Sequence, residues 1–112
     1  MSTDRAAEAE KGTTMVTEIA HLRVTTGDEL AFESAVAEAA PLFRAAPGCR
    51  AIRLTRSIEV PRLYRLLVEW ETIEHHTVSF RESEAFSRWR ELVSPYFAAP
   101  PEVEHVVDVL RP

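Results

Sequence analysis

At 112 residues, with 46% apolar and 28% charged side chains and a formal charge of -5, the chain is sized for one globular domain and too short for a cofactor domain beside a substrate domain. The acidic balance argues against nucleic acid as a partner, and no apolar run approaches the ~18 residues that a membrane-spanning helix needs. Cys49 is the only cysteine, which excludes an intrachain disulfide and a Cys-rich zinc site and points to a cytoplasmic setting.

Residues 1–14 set Asp4, Arg5, Glu8, Glu10 and Lys11 among alanines and threonines without an apolar stretch, so they read as a disordered N-terminal tail before a single domain over residues 15–112. From Met15 to Thr25, Val16, Ala20, Leu22 and Val24 alternate with Thr17, His21, Arg23 and Thr25, the period of a first strand. After Gly27-Asp28, Phe32, Val36, Ala39, Ala40 and Phe43 recur at helical spacing up to Pro47-Gly48, with a kink or break expected near Ala40 because Pro41 lacks an amide donor. Cys49 to Ser57 and Arg62 to Glu71 read as a hairpin turning at Glu59-Val60-Pro61. A helical pair follows from Ile73 to about Val93, with Ser83 placed to cap its second member, and Val103 to Leu110 reads as a last strand. The order β-α-β-β-α-β is that of a ferredoxin-like α+β fold, an antiparallel sheet with helices on one face.

The second sheet face mixes Ile19, Leu63 and Leu67 with His21, Arg65 and Glu69. A face of that kind is expected to meet a second copy, sheet to sheet, with Arg23, Arg65, Glu69 and Asp108 pairing across the interface. The alternative is a solvated face with paired surface charges.

Several segments together carry a family resemblance: Val16-Thr17-Glu18-Ile19-Ala20 followed by Gly27, Pro47-Gly48-Cys49, Val68-Glu69-Trp70-Glu71, His75, and Phe80-Arg81-Glu82-Ser83-Glu84-Ala85-Phe86. On these the stretch from Met15 to Leu110 resembles the antibiotic biosynthesis monooxygenases, a family of dimeric α+β barrels. The resemblance implies a homodimer, an apolar pocket between sheet and helices, and oxygenation of aromatic or quinol-like molecules with no metal, flavin or haem as cofactor. The Asn, Trp and His of haem-degrading relatives fall on Ala20, Phe80 and Arg90, so the resemblance does not extend to haem degradation.

Oxygenation without a cofactor takes its electrons from the substrate, so the protein needs an aromatic cavity and a group that removes a proton. Trp70, Phe80, Phe86 and Trp89 are candidate walls, with Leu22 and Val68 in the same lining; the bland reading makes the aromatics plain core residues. His75 and His76 are about 100° apart on a helix, so only one faces a common pocket. His76 shares the face of Phe80 and is the candidate base, while His75 is a pocket residue or a cap on the preceding strand end. Arg90 follows Phe86 by four residues and is the candidate cation for an oxyanion, or else an exposed arginine. His105 sits on the apolar face of the last strand, as a core or interface residue or as part of the pocket. No zinc, calcium, P-loop or dinucleotide spacing occurs.

The sequence therefore predicts a cofactor-independent monooxygenase binding a small aromatic molecule and dioxygen. Two other readings use the same pocket: a noncatalytic ligand-binding or stress-response dimer, and a polyketide cyclase or isomerase.

Overall fold

The computed structural model describes residues 15–110, and the tail expected over residues 1–14 lies outside them. Four strands form one antiparallel sheet: β1 (Val16–Arg23), β2 (Cys49–Arg56), β3 (Leu63–Trp70) and β4 (Glu102–Val106), in the order β2-β3-β1-β4. Helix α1 (Glu29–Arg44) follows β1; a π-helical turn (His75–Phe80) and helix α2 (Glu84–Val93) follow β3. A 3-10 turn (Ser94–Tyr96) leads toward β4. This is the ferredoxin-like α+β arrangement.

Alternation decides which sheet face is covered. Ala20 and Leu22 of β1 and Tyr64, Leu66, Val68 and Trp70 of β3 are all buried, and they pack in one core with Phe32, Ala35, Val36, Ala39 and Phe43 of α1 and Trp89 and Val93 of α2. The other face carries half-buried Ile19, His21, Leu63, Arg65 and Leu67. On it a cleft of about 210 Å³ opens between Arg23, Arg65 and Pro100, beside a contact of 3.0 Å between His21 Nε2 and Glu104 Oε2.

Three local expectations are corrected. Of the kink or break expected near Ala40, the break does not occur: helix α1 runs through Pro41 to Arg44, with the Ala45 amide donating to the Pro41 carbonyl at 3.0 Å. The apolar stripe ending in buried Phe43 holds that last turn against the sheet and offsets one missing hydrogen bond. Strand β4 ends at Val106 rather than Leu110, because Val106 already pairs with Thr17, next to the start of β1, and the ladder has no further partner. The first member of the helical pair is a π-helical turn: the Arg81 amide donates to the His76 carbonyl, five residues back, at 3.1 Å. Ser83 caps α2 as expected, its Oγ accepting from the Phe86 amide at 3.3 Å.

Candidate functional site

Glu18 is the one carboxylate on the covered face of β1, 5% exposed and flanked in the ladders by Val68 on β3 and His105 on β4. Burial of an ionisable group demands partners, and three elements supply them. From the end of β3 the Trp70 indole N–H donates to Glu18 Oε1 at 3.0 Å. From the π-helical turn His76, 2% exposed, brings Nε2 to 3.4 Å from the same oxygen. Its other ring nitrogen, Nδ1, is hydrogen-bonded to His105 Nε2 at 2.8 Å. The result is a line of polar groups, Glu18 to His76 to His105, walled by Trp70 and running from the core to the half-buried edge strand β4.

The wide turn presents His76 this way. His76 stacks on Trp70 with ring centroids 5.5 Å apart, and Phe80, closing the same turn, packs on Trp70 at 5.4 Å and on Phe43 at 4.7 Å. Arg81 follows at the end of the turn, exposed but close enough to add positive potential to the cluster.

Electrostatics set the protonation states. Burial pushes the Glu18 carboxyl up to about 7, against the opposing effects of the Trp70 hydrogen bond and the Arg81 charge. Burial also lowers His76 to about 4, helped by Arg81 and His105, and lowers His105, helped by Arg81. Both imidazoles are thus neutral at neutral pH, where Glu18 is divided between its acid and its anion. At neutral pH the Glu18–His76 contact is therefore not a fixed ion pair.

The structure brings His76, Trp70, Phe80 and His105 together, but places other expected site residues elsewhere. Arg90 is exposed, because the inward stripe of α2 runs through Trp89 and Val93, and its side chain does not join the cluster. His75 turns away from His76: its Nδ1 lies 2.9 Å from Thr72 Oγ1, and its ring lies over Gly48, where a Cβ would collide with it. Leu22 and Val68 are closed in the core at 1% and 0% exposure. Trp89 packs edge-on against Phe43 at 5.0 Å, and half-buried Phe86 packs edge-on against Phe80 at 5.8 Å. Trp70 is wholly buried, so its polar contact is with Glu18. Glu18 itself is absent from the sequence-derived candidates, although its parity with Val16, Ala20 and Leu22 marks it as a carboxylate on an apolar face.

Among the described residues no group of three or more His, Cys, Asp or Glu side chains is arranged to hold a metal ion. In the cluster the two imidazoles are bonded to each other rather than aimed at a common point. No described helix is long and apolar enough to cross a membrane.

The family model described as antibiotic biosynthesis monooxygenase matches residues 15–92, a span that includes Glu18 and His76 and ends before β4. The uncharacterized protein YczJ of Bacillus subtilis (strain 168) is 40% identical over 95 residues, which are 85% of this chain and 100% of that protein. A crystal structure from Bordetella bronchiseptica, of a protein given the same family name, is 49% identical with a TM-score of 0.85, covering 87% of this chain and 99% of its own. A structure from Nitrosomonas europaea shares the fold at 20% identity, with a TM-score of 0.77 over 87% of this chain and 92% of that one. With the family model spanning most of the chain and a half-identical structure superposing on it, the chain belongs to the antibiotic biosynthesis monooxygenase family.

Proposed function

We propose that the protein is a cofactor-independent monooxygenase acting, as a cytoplasmic homodimer, on an aromatic, quinol or polyketide-like small molecule. The observation that carries this reading is the buried carboxylate–imidazole line, in which Glu18 titrates near neutrality next to two neutral histidines. Removing a proton from a phenol or an anthrone yields an electron-rich anion that can reduce dioxygen. For an anthrone the balance closes without an added reductant: the ring CH2 becomes C=O, one oxygen atom enters the product, and the other leaves as water with both hydrogens. The aromatic wall of Trp70, Phe80 and Phe86 excludes water from the cluster side, which strengthens every electrostatic interaction there.

A second reading has its own support. Trp70, Phe80 and Trp89 are 0%, 2% and 7% exposed, with Phe80 packed on both Trp70 and Phe43 and Trp89 packed on Phe43, as in a core that keeps the fold while binding a ligand without turning it over. A cyclase or isomerase would use the same proton-transfer groups without oxygen. Oxygen uptake with a panel of hydroquinones and anthrones, in the presence of chelator, separates the three. Stoichiometric uptake with oxygenated product supports the monooxygenase; rearranged product without uptake supports the isomerase; binding without either supports the noncatalytic dimer.

A further inference from the structure

We infer that His105 is the group that exchanges a proton with the substrate, and that His76 and Glu18 form a relay behind it which stores that proton in the core. The inference rests on the proton-removing activity proposed above and assigns its parts.

Access distinguishes the members of the line. Glu18 and His76 are 5% and 2% exposed, so neither can touch a ligand without a rearrangement of the core. His105 is half-buried on β4, an edge strand that among the described residues pairs only with β1. Its Nε2 is engaged by His76 at 2.8 Å, whereas its Nδ1 has no hydrogen-bond partner among the described residues. The unpaired nitrogen is therefore on the least buried ring of the line, and the bonded nitrogen faces His76.

The proton count closes. Before the reaction His105 carries its proton on Nε2 and donates it to His76 Nδ1, while His76 carries its own proton on Nε2, facing the Glu18 carboxylate. Substrate O–H or C–H gives its proton to His105 Nδ1; the Nε2 proton of His105 passes to His76 Nδ1; the Nε2 proton of His76 passes to Glu18. The products are the substrate anion, two neutral imidazoles in their other tautomers, and a protonated Glu18. No imidazolium forms in the low-dielectric interior, which is the physical advantage of a relay over a lone histidine. The charged and titratable groups facing the line are Arg81 from the end of the π-helical turn and Cys49 from the start of β2, and the Trp70 N–H holds the carboxylate oxygen at the inner end. Glu18, with a carboxyl at about 7, is matched to accept the proton at neutral pH and release it afterwards.

The test is a nitrogen-15 NMR titration of histidine-labelled protein, which reads the tautomer of each ring and needs no substrate. The relay predicts that His76 and His105 both switch from Nε2–H at alkaline pH to Nδ1–H as Glu18 becomes protonated, with one shared midpoint, and that Glu18→Gln abolishes the switch in both rings. Rings that keep fixed or independent tautomers in the wild-type protein, or a switch that survives in Glu18→Gln, would overturn the relay. The substrate role of His105 is read separately with any probe the wild-type protein oxidises: His105→Ala should lower kcat by roughly 10²-fold or more with KM within a few fold, and added imidazole should restore part of it. Unchanged turnover in His105→Ala overturns that role. If the wild-type protein oxidises none of the probes, the proposed oxygenase activity fails, and the NMR titration still decides the relay.

Discussion

His76 and Trp70 lie nearly parallel, their ring planes 16° apart, and both approach the same oxygen of Glu18, at 3.4 Å and 3.0 Å. One carboxylate oxygen is thus shared between a permanent donor and a ring that can either give or take a proton. Trp70 cannot change its protonation, so of these two neighbours only His76 can exchange a proton with Glu18.

This arrangement makes stability depend on pH in a way that identifies Glu18. Its carboxyl is raised from 4.5 to about 7, so the folded state keeps a proton that the unfolded chain loses, and stability falls as pH rises across that interval. His76, lowered from 6.5 to about 4, contributes the opposite slope between those values, because the unfolded chain holds the extra proton there. Glu18→Gln removes only the first contribution. The variant should match the wild type near pH 4.5 and exceed its stability by about 3 kcal/mol above pH 7, measured by urea unfolding across the range. A constant difference at all pH values would show that Glu18 titrates normally.

Trp70 anchors the same oxygen and fills the core, and two substitutions separate these roles. Trp70→Ala should cost about 3 to 5 kcal/mol of stability, as loss of a large packed aromatic does. Trp70→Phe keeps most of the packing but removes the donor that lowers the Glu18 pKa, so the Glu18 midpoint should move above about 7, read by carboxyl carbon-13 NMR. An unmoved midpoint would mean that the indole hydrogen bond does not act on the carboxylate.

His76→Ala interrupts the line at its middle. Turnover should fall by roughly 10² to 10⁴ while ligand affinity stays within a few fold, in steady-state kinetics against binding by calorimetry. Retained turnover with an unaltered pH profile would remove His76 from the reaction.

The turn into β2 gives a structural prediction. Gly48 has φ +82° and lies under the His75 ring, so Gly48→Ala meets both backbone strain and a collision. A loss of about 1 to 3 kcal/mol in thermal or chemical unfolding is expected. A variant as stable as the wild type would show that His75 moves aside freely.

The proposed homodimer rests on the half-buried Ile19, Leu63 and Leu67 of the uncovered sheet face. Light scattering should give twice the 12.6 kDa chain mass at micromolar concentration, and Ile19→Asp should shift it to the monomer. A wild-type monomer would contradict the interface.

The fold was legible because its signals are local. Period-two alternation in β1 and β3, helical spacing in α1, and Ser83 before α2 each act within a few residues, and together they give β-α-β-β-α-β. The site was less legible because it is assembled by register. Glu18 and His105 share one site because they are register partners in the β1–β4 ladder, with His76 bridging them, and Glu18 meets Trp70 across β1 and β3; no spacing along the chain encodes either relationship. Spacing placed His76 with Phe80, and the two are buried together with ring centroids 6.5 Å apart. Arg90 lies outside the cluster, since the buried stripe of α2 follows Trp89 and Val93, one position off the line from Phe86 to Arg90. The π-helical turn has no sequence signature at all.

The central claim, that Glu18 controls proton removal from an aromatic substrate, is tested most directly by oxygen uptake of wild type and Glu18→Gln on one anthrone from mildly acidic to mildly alkaline pH. The wild-type rate should rise to a plateau with a midpoint near the Glu18 value of about 7, and the variant should be slow, with that rise gone. A variant whose rate and pH profile match the wild type would contradict it.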